Sequence, residues 1–365
     1  MNYHPGTIYI DQEAVNLSFT KAITAQYPQI DPIIIDPREV KSKLFDQVES
    51  LTKGKQILYL KKFQGDALKL CPGYSEEEVL CCNYQVIDLV ENCPLECVYC
   101  ILQAFLNKPI ITFHVNVEEI IAKTIKGLKL LADRQIRVGT GEHSDSMALD
   151  DIFKVNPYLI DAFSRLQNVT LELKTKTDKI ESLLGLNHQN RTVIAWSLNP
   201  EAIVKQYEYK TASLPQRIKA AQTVIDHGYQ VAFHFDPIIY YEGWQKGYQS
   251  TIELLFDSIP ESKIAWISLG TLRYIPALKQ IAEERFPKLS IFSNEFIPAF
   301  DGKMRYLKSI RNELLSTIAK WIYQRTSKVP LYICMEKHSC WDNSMNCHPI
   351  DSIELEAYLD NNVIK

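Results

Sequence analysis

From about residue 84 onward, short β-rich runs alternate with longer stretches of helical periodicity, and this alternation restricts the fold more than any other feature of the chain. Parallel strands need a long crossover, usually a helix, so the pattern implies βα units repeated around a parallel sheet. The spacing predicts strands at Tyr84–Val90, Ile136–Gly139, Thr170–Thr175, Thr192–Leu198, Gln230–Phe235 and Ile264–Leu269. Between them it predicts helices at Val117–Leu131, Pro157–Leu166, Leu214–His227, Gly247–Ser258 and Ile275–Arg285, with a short one near Ile180–Leu184.

Six units are too few for a closed eight-stranded barrel, which leaves a partial barrel or an open doubly wound sheet. Side-chain alternation chooses between them. Glu172, Lys174 and Lys176 share one face of the third strand, opposite Leu171 and Leu173; Ala195, Ser197 and Asn199 oppose Ile194, Trp196 and Leu198; and Ala232, His234 and Asp236 oppose Val231, Phe233 and Phe235. Strands covered by helices on both faces would be almost continuously apolar. A polar cavity inside a partial barrel accounts for the pattern, and burial of its charges calls for a polar ligand or for mutual ion pairing. The expected fold is therefore α/β: a partial (β/α)6 barrel over residues 81–286, an N-terminal α/β segment over 1–80 packed on it, and a C-terminal extension over 287–365. Strand-like Ile33–Ile35 falls in the first of these; a helix over Tyr306–Arg325 and a strand at Leu331–Cys334 fall in the last.

The opening MNYHPGTIYIDQEAV has neither the basic start nor the apolar run of a signal peptide, and no stretch approaches the roughly 20 apolar residues of a membrane span. The expectation is a cytoplasmic protein with no membrane partner. In such a reducing compartment nine cysteines speak of metal or redox chemistry sooner than of disulfides. Cys71, Cys81 and Cys82 read as packing residues. A net charge of -4 gives no global attraction to nucleic acid, so DNA or RNA would need a local basic face. Lys303–Lys328 offers one, with Lys303, Arg305, Lys308, Arg311, Lys320, Arg325 and Lys328 against Glu313 alone. A solvated helix face has the same charge pattern.

The chemistry centres on Cys93-Pro94-Leu95-Glu96-Cys97-Val98-Tyr99-Cys100, directly after the first expected strand. Three thiolates in one short loop suit three irons of a [4Fe–4S] cubane, leaving the fourth iron open to another ligand. Zinc, in a non-catalytic binding module, is the alternative, although it would want a fourth ligand. Gly139-Thr140-Gly141-Glu142 ends the second strand, its glycines permitting close backbone approach. Cys334, Cys340 and Cys347, flanked by His338 and His348, form a second candidate metal site at looser spacing, although Cys334, on an expected strand, reads more simply as a core residue.

The C-x3-C-x2-C spacing, with an aromatic just before its last cysteine, resembles the signature of the radical S-adenosylmethionine (SAM) superfamily, and Gly139–Glu142 resembles its glycine-glycine-glutamate element. From about Cys82 to Tyr306 the chain is similar to the spore photoproduct lyase family, which reverses a UV-induced thymine dimer in DNA. The strings that carry the likeness are NCPLECVYC with Leu102-Gln103, Ser144-Asp145, Thr175-Lys176, Trp196-Ser197-Leu198-Asn199, and Pro237 with Glu242-Gly243-Trp244 and Gly247-Tyr248.

The resemblance implies that Cys93, Cys97 and Cys100 ligate the cluster and that Tyr99, Gly141, Glu142, Ser144, Lys176, Ser197 and Asn199 hold SAM. Tyr99 and Glu142 would take catalytic roles, and a flavodoxin- or ferredoxin-type one-electron reductant would be a partner. His234, Asp236, Tyr240, Tyr241 and Trp244 crowd the end of the fifth strand, where a base can stack, and with Arg305 they are the expected substrate contacts. The sequence departs from the lyases twice. Their hydrogen-donor cysteine, two residues before the Ser-Asp pair, is Glu142, and the tyrosine after their third cluster cysteine is Ile101. Both changes touch hydrogen return, so the expected activity is radical SAM chemistry on DNA or another nucleic acid or nucleotide, with a peptide or small metabolite as the alternative substrate.

Overall fold

The computed structural model describes residues 3–72, 79–106, 109–131, 134–299, 301–346 and 348–363. Its main sheet holds β1 (Leu68–Leu70), β2 (Gln85–Ile87), β3 (Ile136–Gly139), β4 (Val169–Thr175), β5 (Thr192–Ser197), β6 (Gln230–Ile238), β7 (Ile264–Thr271) and β8 (Leu331–Ile333). They lie side by side in chain order from β1 to β8. All neighbours are parallel except the β1–β2 pair. The six expected βα strands are thus present, and β8 adds a seventh parallel strand.

The connecting helices form where apolar periodicity meets end signals. Helix α1 (Val117–Lys129) carries Glu118 and Glu119 in its first turn and Lys126 and Lys129 in its last, matching the helix dipole. Helix α2 is Asn156–Ser164, with a proline in its first turn. Helix α3 (Leu214–Asp226) starts on a reciprocal capping box between Ser213 and Gln216 and stops before Gly228, whose φ is 91°. Helices α4 (Trp244–Ser258), α5 (Pro276–Arg285), α6 (Lys308–Arg325) and α7 (Ser352–Val363) complete the set. No helix among the described residues is long and apolar enough to cross a membrane.

The sheet curls into a half-barrel. Arg137 on β3 shows this, because its guanidinium lies 5.3 Å from the ring of Trp266 on β7 and 5.5 Å from that of Tyr332 on β8, strands far from β3 in sheet order. It also donates to the carbonyl of Cys82 at 3.2 Å. Helix α7 laces the seam: Ser352 Oγ accepts from Cys81 N at 2.9 Å and Glu356 accepts from Asn83 Nδ2 at 2.7 Å, while the helix packs on β7.

A second sheet of five strands runs in the order Ile33–Ile35, Thr7–Asp11, Ile57–Lys61, Ile111–His114 and Val90–Glu91. Its last two strands come from beyond residue 80, so the sheets do not divide there. The run expected as one strand at Tyr84–Val90 bends at Asp88, giving β2 to the half-barrel and Val90–Glu91 to this second sheet. The cysteine loop therefore follows the second piece and not a half-barrel strand directly.

Candidate active site

The loop after Val90–Glu91 is held from several sides. Glu96–Cys97 pairs antiparallel with Glu208–Tyr209, Val98 N donates to Tyr207 O at 2.9 Å, and Gln103 Nε2 donates to the carbonyls of Cys97 and Val98, both at 3.0 Å. The Tyr99 hydroxyl donates to the Glu208 carboxylate. Glu208 also accepts from Asn199 Nδ2 at 2.9 Å and from Arg217 at 2.5 Å, a pair whose side chains are both 0% exposed. Arg217 spends its remaining donors on the carbonyls of Ala212 and Ser197 and on Thr211.

This framework places Cys93, Cys97, Tyr99 and Cys100 on the wall of a cavity of about 430 Å³, shared with Gly141, Glu142, Ser144, Lys176, Ser197, His234 and Asp236. The polar strand faces read from the sequence do point into one space. Most of its charges pair with one another: Glu142 with Lys174 at 2.9 Å, Glu172 with His234 at 2.5 Å, and Asp236 with both terminal nitrogens of Arg273 at 3.0 Å. His234 passes the chain on to Ser268 Oγ at 2.6 Å. Burial opposes ionisation of Glu172, but His234, Lys174 and Arg137 together hold its carboxyl down to about 2.

Lys176 differs. Its ammonium lies 5.9 Å over the Tyr99 ring, and no carboxylate among the described residues is in ion-pair reach of it. Asp145 fixes its position, accepting from Lys176 N at 2.8 Å and from the Thr175 hydroxyl at 2.8 Å while capping Met147 N and Ala148 N. Ser144 is buried, and its hydroxyl has no partner among the described residues. Gly139 must be glycine, since a Cβ there would meet the Tyr84 hydroxyl at 1.7 Å and the Glu172 carbonyl at 2.9 Å.

Five expected site residues are not on the cavity wall. Asn199 is fully buried behind it, bridging Glu208 and the Tyr248 hydroxyl, so it positions Tyr99. Trp244 is 3% exposed in the first turn of α4 and packs near Trp321, with ring centroids 6.2 Å apart. Tyr241 lies with it past the end of β6, where the chain leaves the cavity; Tyr240, also off the wall, packs edge-on to Tyr306. Arg305 is 2% exposed and forked onto Asp301 at 2.5 and 2.9 Å. The basic run around it is largely neutralised: Arg311 meets Glu336 at 3.1 Å, Lys328 meets Glu261 at 3.0 Å, and Arg325 meets Asp257. Those acids come from other segments, which the sequence could not align with the run.

A family model for spore photoproduct lyase matches residues 3–328. The chain belongs to the spore photoproduct lyase family. Spore photoproduct lyase of Bacillus subtilis (strain 168) is 29% identical over 255 residues, 69% of this chain and 71% of that protein. The lyase of Geobacillus sp. (strain Y412MC61) is 26% identical over 245 residues, 65% of this chain and 72% of that one. A solved structure of a spore photoproduct lyase double mutant with bound AdoMet and dinucleoside spore photoproduct superposes with a TM-score of 0.78, at 22% identity, over 92% of this chain and 100% of that chain. A complex of the lyase with the dinucleoside alone gives 0.78 at 23% identity over 91% and 99%. At such identities the superpositions establish the shared fold.

Spore photoproduct lyase family members are radical SAM enzymes that work with a [4Fe–4S] cluster. The residues here fit those groups. Cys93, Cys97 and Cys100 are free thiols on one wall, beside an unpaired ammonium and an unpartnered buried hydroxyl. Among the described residues no three Cys, His, Asp or Glu side chains close on one point as a mononuclear site would need. Burial pushes the Cys93 thiol up to about 12 and that of Cys97 upward as well, so ligation must release protons.

The sequence reading missed Arg273, Tyr84 and His143 on this wall, and took Cys71, Cys82 and Cys334 for packing residues although all three line it. Of the tail cysteines, Cys340 is buried and donates to Glu336 at 3.4 Å, and Cys347 lies outside the described residues.

Proposed function

We propose that this member of the spore photoproduct lyase family holds a [4Fe–4S] cluster on Cys93, Cys97 and Cys100, binds SAM beside it, and acts on UV-damaged thymine in DNA. The observation that carries the reading is the convergence of three free thiols, one unpaired ammonium and one orphan buried hydroxyl on a single cavity. When bound, the cluster supplies the electron that cleaves the SAM sulfonium to an adenosyl radical, hard chemistry that belongs to the cofactors.

The chain's own residues bind, orient and shield. Lys176 suits the SAM carboxylate, because a partly buried ammonium needs an anion. Ser144 and Ser197 offer hydroxyls, and Gly141 with Glu142 offers backbone approach and a carboxylate for an amino group. Tyr99 presents a ring face whose tilt is fixed by its bond to Glu208. Asp236, oriented by Arg273, keeps carboxylate lone pairs for a substrate's polar edge, whereas both ring nitrogens of His234 are taken by Ser268 and Glu172. A cytoplasmic location and a one-electron donor of the flavodoxin or ferredoxin class are parts of the same reading.

A second reading keeps the radical but assigns a peptide or small metabolite. The neutralisation of Arg305, Arg311, Arg325 and Lys328 favours it, since a polyanion gains little from cations that already have partners. One experiment tests both: anaerobic incubation with SAM, a reductant and irradiated DNA, with 5′-deoxyadenosine and restored thymine measured together. The first reading requires both products. 5′-Deoxyadenosine without thymine moves the assignment to the second, and absence of both overturns the radical reading.

A further inference from the structure

A carbon-centred radical is quenched by a weak X–H bond, and the carboxyl O–H of Glu142 is far too strong for that task. The cavity holds three thiols outside the cluster motif, Cys71, Cys82 and Cys334. Cys82 precedes β2 and Cys334 follows β8, so they come from opposite ends of the sheet; its curl brings them close enough for their charges to couple. Each is followed by a residue in the left-handed region, Asn83 at φ 53° and Met335 at φ 59°. Such backbone is uncommon for non-glycine residues, most of all for a bulky one, and it collects where a side chain is being aimed.

Cys334 is the best placed of the three. Its Sγ lies 3.9 Å from Arg273 Nη2, and Arg273 is locked by its fork onto Asp236 and by Nε to Met335 Sδ at 3.3 Å. The thiol therefore has a fixed seat on the wall, beside the carboxylate left for the substrate. We propose that Cys334 is the hydrogen-atom donor of this cavity, an inference that rests on the radical SAM reading above. Burial pushes the Cys334 thiol up, over the opposing pull of Arg273, which keeps it in the S–H form. Cys82 is drawn down by its hydrogen bond with Cys81 and by Arg137, which makes it the poorer source of a hydrogen atom. Of the phenols, Tyr99 donates to Glu208, while the Tyr84 hydroxyl lies against Gly139 without a hydrogen-bond partner among the described residues and is the rival that a Tyr84→Phe variant separates.

The step breaks one S–H bond at Cys334 and forms one C–H bond on the substrate radical, leaving a thiyl radical. One electron from a flavin or iron–sulfur one-electron carrier and one proton from water restore the thiol.

The test uses the full-length holoprotein in D2O, without oxygen, with SAM, a reductant and dinucleoside spore photoproduct. A thiol exchanges its hydrogen with solvent, so the wild type places deuterium in the thymine it releases. Cys334→Ser lowers thymine release by on the order of tenfold or more, while 5′-deoxyadenosine still forms within about twofold of wild type. Cys334→Ala carries the same expectation should the serine variant lose its cluster. Thymine free of solvent deuterium in the wild type overturns the inference without any variant. Deuterium transfer that survives in Cys334→Ser but vanishes in Cys71→Ser or Tyr84→Phe overturns it too, leaving the proposed function standing. A wild type that forms no 5′-deoxyadenosine overturns the proposed function, and the inference with it.

Discussion

Glu208→Gln tests whether a buried charge secures the cysteine loop. The carboxylate and its partner Arg217 are both fully buried, and the substitution keeps the shape while deleting the charge. Breaking such a pair from one side costs about 3–5 kcal/mol, because the remaining ion stays buried and uncompensated. The glutamine carbonyl still accepts from Tyr99 and Asn199, which puts the expected loss near the lower end, about 3 kcal/mol. With a urea slope of about 3 kcal/mol per M, the unfolding midpoint falls by roughly 1 M. Glu208→Asp, which keeps the charge, loses less. Because the backbone at Glu208 pairs with Cys97 and its side chain anchors Tyr99, iron and sulfide content per chain falls along with stability. Urea unfolding of the apoprotein and iron analysis of the anaerobic holoprotein read the two effects. A midpoint shift under about 0.2 M in the glutamine variant, or equal losses in both variants, refutes the charge argument.

Lys176→Met is expected to weaken SAM binding at least about tenfold, since a hydrogen bond to a charged group contributes about 1.5–3 kcal/mol; equilibrium dialysis with labelled SAM checks it, and unchanged affinity refutes it. Gly139→Ala overpacks the contact with Tyr84 and destabilises by about 1–3 kcal/mol, and Tyr84→Phe in the same chain restores part of that by removing the nearest atom. The Asp88–His143 contact at 2.5 Å gives a pH window. Despite burial, hydrogen bonds from His143 and Lys69 hold the Asp88 carboxyl at about 2, so its contribution is present above its ordinary 3.8 and is lost as pH falls toward 2. The Asp88 hydrogen bond raises His143 above its ordinary 6.5, so that contribution is complete below 6.5 and is lost as pH rises through the raised value. The stability gap between wild type and His143→Gln, followed by urea unfolding, is therefore widest between about pH 4 and about pH 6.5 and narrows on both sides.

The half-barrel was legible because β4, β5 and β6 carry a period-two signal, polar on one face and apolar on the other, over several residues. Ile111–His114 also alternates apolar and polar, but over only four residues, all of them buried, and the alternation does not say that it pairs with Ile57–Lys61. The C-x3-C-x2-C loop was legible because its chemistry is local. What sequence cannot supply is which charge meets which. Lys174 and Lys176 share a strand face two residues apart, yet one is paired with Glu142 and the other is not, a difference settled by a loop from another βα unit. Arg137, Arg273 and Cys334 were missed for the same reason, each taking its meaning from neighbours distant in the chain. The aromatic cluster at 240–244 misled because crowding in sequence was taken for convergence in space, whereas the chain turns away from the cavity after Ile238.

The pairing inside the cavity also limits what can enter it. A wall of partly buried carboxylates and cations is stable only where partners are fixed, and Glu142–Lys174, Glu172–His234 and Asp236–Arg273 meet that requirement internally. These pairs need no ligand, so they do not argue for one. Lys176 has no carboxylate within ion-pair distance among the described residues, although its ammonium is near enough to draw the Glu208 carboxyl down. On the reading proposed above, its positive charge is met by an anionic group from outside the chain, at a point over the Tyr99 ring and beside the loop of Cys97 and Cys100. An amino-acid carboxylate answers that demand, and SAM carries one.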